Sequence, residues 1–179
     1  MNWIVNALLF QLCWVAFVGG AARGYWWLGF VVLLPFALWQ LKVSARPRAD
    51  AMLLAIAAAF GFIVDSALAM SGVLSYATPV PWTQFAPVWI VGLWAGFGLT
   101  LNHSMAFLQT RPWLALLLGG LAGPFAYWVA ARAWSAVAMN APMWRSLLAL
   151  AIAWALITPA LAKLAQALAQ REAPRASAA

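Results

Sequence analysis

The chain has 179 residues, of which 67% are hydrophobic and 7% charged, with a mean hydropathy of +0.91. A soluble domain carries roughly 25% charged residues, so this composition excludes one and describes a membrane protein. The net charge of +7 does not indicate nucleic acid, because the ten Lys and Arg are scattered singly at the ends of apolar runs instead of forming a stripe. Cys13 is the only cysteine, which excludes a disulfide framework and any thiolate-based metal spacing.

The first apolar run lacks a basic leading segment, and Phe10-Gln11-Leu12-Cys13 lacks the small residue a lipoprotein cleavage site needs, so a retained helix is expected. Six runs, at about 3–20, 25–41, 51–70, 87–108, 113–131 and 146–162, have the roughly 17–25 residues needed to cross hydrocarbon. They lack the alternation of barrel strands, and lipid offers no partner to an open sheet edge, so the fold expected is all-α with six transmembrane helices and no soluble domain. Residues 1–168 form this domain, with a short amphipathic exit, and 169–179 are expected to be a disordered tail.

Orientation follows from the flanking cations. The segment Lys42–Asp50 carries three of them, and placing it in the cytoplasm puts both termini there too. Lys42, Arg46, Arg48, Arg111, Lys163, Arg171 and Arg175 are then inside, against Arg23, Arg132 and Arg145 outside. Tryptophans favour the membrane boundary, and only Trp14, Trp94 and Trp154 of the thirteen fall mid-run. This is the pattern of a multi-pass protein of a bacterial inner membrane.

Residues 71–86, with Pro79 and Pro81, cannot be a continuous helix and read as an external linker, with a lid against the outer surface as the alternative. Small residues four apart at Gly20/Gly24, Gly92/Gly96 and Gly119/Gly123 permit close helix approach and could serve a homo-oligomer. No repeat between the two halves supports an inverted-repeat transporter. Thr158-Pro159 interrupts the last run, and Lys163, Gln166 and Gln170 then share a face, as in a helix leaving the bilayer along its inner surface.

A rise of about 1.5 Å per residue sorts the polar groups into two layers. Asp65 and Tyr127 each lie fourteen residues along their runs, roughly 21 Å above the inner boundary. A lone carboxylate there needs a partner, and Arg132 is expected to form a buried ion pair with it in preference to Arg23 or Arg145. The second layer lies toward the cytoplasmic side, where Asn102, His103 and Ser104 reach the depth of Asn6, Gln11 and Thr158. If these faces converge they form a polar pocket open to the inner leaflet. By the same arithmetic Asp65 is some 12 Å higher, so it is not paired with His103.

Two classes of chemistry suit such a pocket. His103, the single histidine, could act as general acid or base on a lipid headgroup or acyl carbonyl. Alternatively the amides and hydroxyls of Asn6, Gln11, Asn102, Ser104 and Thr158 could hold a polar lipid head while its tail lies between helices. A binding or accessory role ranks above an enzyme because no second titratable group can be placed beside His103. A proton-coupled transporter using Asp65 and His103 ranks third, and a histidine that merely ties helices together is the bland alternative. No zinc-helix, redox-dithiol, esterase or P-loop pattern is present, so neither metal nor cofactor is expected.

Asn6 with Phe10-Gln11, Asp65-Ser66, Leu101-Asn102-His103-Ser104 and Gly123-Pro124-Phe125-Ala126-Tyr127-Trp128 resemble a family of small bacterial inner-membrane proteins known only as a domain of unknown function. The resemblance spans nearly the whole chain apart from the C-terminal tail. It carries over no catalytic residue. Members occur beside genes for lipid-modifying and oxidative-stress enzymes, which implies membrane lipids, and possible lipid-modifying enzymes, as partners.

Overall fold

The computed structural model describes residues 3–140 and 142–172. Among these the chain forms α1 (Trp3–Ala21), α2 (Leu28–Val43), α3 (Pro47–Met70), β1 (Leu74–Tyr76), α4 (Val88–Gly98), α5 (Pro112–Arg132), β2 (Val137–Met139) and α6 (Met143–Glu172). Helices α1, α3, α5 and α6 are long and apolar enough to cross a membrane, while α2 and α4 are shorter apolar helices. Their outward faces carry Leu8 and Leu12 on α1, Leu117 and Leu121 on α5, and Ile152 and Leu156 on α6, all exposed. Apolar side chains on such faces are what hydrocarbon, not water, requires.

Successive helices pack as three hairpins, α1 with α2, α3 with α4 and α5 with α6, and α4 also touches α1 and α2. Glycine permits each close approach. A Cβ on Gly29 would lie 2.0 Å from the Phe17 ring, and one on Gly119 2.4 Å from the Trp154 carbonyl. Gly92 and Gly96 face Phe17 and Phe10, and Gly123 faces Trp154, so these small-residue faces are covered within the chain. Gly61 is the tightest contact between α3 and α4, since a Cβ there would sit 2.0 Å from Cγ of Trp94. Gly61→Ala is therefore expected to lower stability by about 1–3 kcal/mol, read as an earlier midpoint on thermal or detergent-induced unfolding, and wild-type stability would show that Trp94 can move aside.

Three features differ from the sequence expectation. The fourth run does not stay helical to residue 108, because α4 ends at Gly98 and residues 99–105 continue as turns into a 3-10 turn at Ala106–Leu108. Two short strands pair outside the helical layer, antiparallel, with Leu74 opposite Met139 and Tyr76 opposite Val137. They tie the α3–α4 connection to the α5–α6 connection, so residues 71–86 are anchored and not a loose linker. Thr78 Oγ1 donates to the Ala21 carbonyl, the Ala86 amide to Ser66 Oγ, and the Trp89 indole to the Ala77 carbonyl.

The third difference is at the C-terminal end. Helix α6 runs unbroken through Pro159 to Glu172, about 45 Å of helix, so residues 169–172 are helical and not part of a disordered tail. Leu161, Ala165 and Leu168 are buried. The Glu172 carboxylate accepts from the amides of Arg48 and Ala49, capping the N-terminus of α3, where unpaired donors and the helix dipole favour an anion. The rest of the expected tail, 173–179, lies outside the described residues.

Candidate functional site

Unwinding α4 after Gly98 exposes backbone groups that a helix would have paired, and the polar residues around them supply the missing partners. Asn6 Nδ2 donates to the Leu99 carbonyl at 3.1 Å and to Gln40 Oε1 at 2.7 Å, while Asn6 Oδ1 accepts from Ser104 Oγ at 2.6 Å. Gln109 Nε2 donates to the Leu101 carbonyl and to Asn102 Oδ1, both at 2.9 Å. Asn6 and Gln40 are fully buried. Asn, Ser and Gln here supplement the turn bonds the backbone keeps, such as the Thr100 amide to the Phe97 carbonyl and the His103 amide to the Thr100 carbonyl.

The network ends on a carboxylate. Asp50, in the first turn of α3, places Oδ2 2.6 Å from His103 Nε2 and accepts at Oδ1 from Asn102 Nδ2 at 2.9 Å. The Asp50 side chain is 1% exposed and that of His103 9%. Sequence reasoning missed this residue. Asp50 follows Arg46 and Arg48 in a polar stretch and reads as part of a topology signal, whereas the structure makes it the second titratable group beside His103. The pair is one in which a proton can be shared, and a carboxylate on one imidazole nitrogen fixes the orientation of the ring.

Asp65 is fully buried, and among the described residues no arginine pairs with it. Its Oδ1 accepts from the hydroxyls of Tyr127 at 2.5 Å and Tyr76 at 2.6 Å, and Oδ2 from the Trp94 indole at 2.6 Å. Three neutral donors, one from β1, one from α4 and one from α5, occupy the carboxylate, and the expected pair with Arg132 is not formed. Arg132 is directed at Met143 Sδ, at 3.7 Å and exposed. Arg23 donates to the Gly19 carbonyl and lies over the Trp134 ring, and Arg145 lies over that of Trp144. Each guanidinium thus has a solvated or aromatic alternative, which costs less than desolvating it against a buried carboxylate.

Gln11 and Thr158 do not join the Asn6–His103 network. They line a half-open cavity of about 640 Å³ between α1 and α5, with α4 and Trp154 of α6 also in its wall. Trp14, Trp94 and Trp154, the three tryptophans that fall away from the membrane boundaries in sequence, all line it, as does Tyr127. Trp94 and Trp154 stack with centroids 4.3 Å apart. Among the described residues no charged side chain lines the cavity. The polar pocket expected from depth alone is thus two structures, a satisfied network around Asp50 and His103 and an apolar cavity beside it with Gln11, Tyr127 and Thr158 in its wall. Residues such as Trp14 and Trp154, mid-run indoles with no boundary to sit at, were the sequence signal of the second.

Among the described residues no cluster of His, Cys, Asp or Glu is suited to a metal ion. No curated protein and no solved structure matches the chain. Residues 3–160 match the family model described as Protein of unknown function (DUF2878), and the chain belongs to that family.

Proposed function

We propose that this is a bacterial inner-membrane protein with both termini cytoplasmic that binds a hydrophobic-chain molecule within the bilayer, in a lipid-related binding or accessory role. The observation that carries the reading is the cavity between α1 and α5. Its volume of about 640 Å³ is in the range of ligand sites, and its wall is aromatic and aliphatic with a few polar groups, the composition that holds an apolar body and orients it. The unwound segment 99–105 supports it, because non-helical backbone at membrane depth is tolerated where it is buried in protein or lines a cavity.

Filling the cavity tests the reading. Ala122 lines it and is exposed, so Ala122→Phe adds a ring without meeting the α5–α6 contact. The variant is expected to keep the wild-type melting temperature in detergent and to lose, by at least about five-fold, whatever lipid co-purifies with the wild type in mass spectrometry, the scale of removing one side chain's apolar contact. Equal co-purification would reject the cavity as the binding place.

The Asp50–His103 pair favours a second reading, a membrane-embedded enzyme in which His103 moves a proton for a lipid substrate. His103→Gln keeps an amide nitrogen near the position of Nε2 but cannot carry the proton. A stable His103→Gln protein that still alters cellular lipids as the wild type does would rule this out. The transporter reading gains nothing from the geometry, since the partners of Asp65 and those of His103 are separate sets.

A further inference from the structure

Gln11 interrupts the outward apolar face of α1. It is exposed and, among the described residues, has no hydrogen-bond partner. Eight residues precede it in the helix and ten follow, so its backbone lies about 12 Å from one end of α1 and about 15 Å from the other, near the middle of a hydrocarbon layer. A primary amide carries a carbonyl acceptor and two N–H donors, and leaving them unpaired at that depth is costly.

The neighbours of Gln11 define what can meet it. Ile4, Leu8, Gln11 and Val15, all exposed, recur at spacings of four, three and four residues, the seam along which one helix packs lengthwise on another, and Leu12 flanks it. Within the chain α1 packs on α2 and α4 through its other side, where Asn6, Cys13 and Phe17 are buried, and the seam stays exposed. The glycine faces at Gly92, Gly96 and Gly123 are not open to a second molecule, since each meets side chains of its own chain. We infer that a second copy of the chain packs on this seam, α1 against α1, in a two-fold dimer whose axis runs along the membrane normal. Symmetry brings the two Gln11 side chains to the same depth, and an amide is complementary to itself, so each carbonyl accepts from the N–H of the other. A polar residue within an otherwise apolar seam also fixes the register of the two helices. Gln11 and Val15 belong to the cavity wall as well, so the second copy stands next to the cavity. The dimer stands whether or not the cavity holds a ligand.

The experiment uses the full chain labelled in two colours and reconstituted in phosphatidylcholine vesicles. Energy transfer is expected to fall as lipid is added, the course of a dissociating dimer. Gln11→Leu, which faces outward and should keep the wild-type melting temperature, is expected to reach half-dissociation at about ten-fold less dilution, the effect of losing an interhelical hydrogen-bonded pair, while Gln11→Asn stays within about two-fold of the wild type. In oxidised membranes Leu8→Cys on the seam should give a disulfide-linked dimer and Leu117→Cys on the exposed face of α5 should not, with the wild type, whose Cys13 is buried, as the blank. Transfer no greater than that of randomly placed monomers, a Gln11→Leu dilution curve that matches the wild type, or Leu117→Cys cross-linking as fast as Leu8→Cys would each overturn the inference. A monomeric wild type from which Gln11→Leu removes co-purifying lipid would assign the amide to an occupant of the cavity, which overturns the dimer and upholds the cavity as a binding place.

Discussion

Asp65→Ala is expected to be among the most damaging single substitutions in the chain, lowering stability by about 4 kcal/mol, because it strands three buried donors at once and each unpaired group costs roughly 1–3 kcal/mol. Those donors are the hydroxyls of Tyr76 and Tyr127 and the indole of Trp94, so one carboxylate joins α3 to β1, to α4 and to α5. Part of the loss is returned, since the alanine no longer requires a desolvated carboxyl group. Asp65→Asn keeps an acceptor oxygen but turns an amide N–H toward a donor, and about half the loss is expected. Tyr127→Phe alone should cost about 1 kcal/mol, and combined with Asp65→Ala it should add almost nothing, the signature of groups that act as one unit. Unfolding of the purified protein in mixed micelles measures all four. Additive losses, or an Asp65→Ala protein as stable as the wild type, would show that the three donors have other partners when the carboxylate is gone.

Much of the architecture was readable because hydrocarbon imposes one rule, that a crossing segment be long, apolar and internally hydrogen-bonded. What hydrophobicity does not report is where an apolar run stops being a helix. Residues 87–108 are apolar apart from Thr100, Asn102, His103 and Ser104, yet α4 ends at Gly98, where Asn6, 93 residues away, satisfies the Leu99 carbonyl. A partner so distant leaves no local trace. The same limit applies to Asp65. Counting residues put Tyr127 at its height, but charge complementarity pointed to Arg132, and nothing local reveals that Tyr76 folds back from a short strand or that Trp94 turns its indole inward. Asp50 is hidden for the opposite reason, since its surroundings in sequence are polar and its partners Asn102 and His103 lie more than fifty residues away.

That burial makes Asp50→Ala the other severe substitution. The Asp50 carboxylate is 1% exposed, accepts from both His103 and Asn102, and sits in the first turn of α3, where the helix dipole favours its charge. Removing it takes the acceptor from Asn102 and the partner from His103, at about 1–3 kcal/mol for each buried group left unpaired. The damage should be local before it is global, because this segment has only turn hydrogen bonds in its backbone and is tied down by side chains from α1, α3 and Gln109. Hydrogen exchange should therefore show amides 99–108 of Asp50→Ala opening well before those of α3 and α6, while Asn102→Ala opens them less, by about 1 kcal/mol. His103→Gln, which preserves a donor toward Asp50, should leave that protection close to wild type. This separates the roles of the pair: if His103→Gln opens the segment as far as Asp50→Ala does, the imidazole is needed to hold the fold, and if it leaves the segment closed, any lipid phenotype of His103→Gln must come from the proton the imidazole carries.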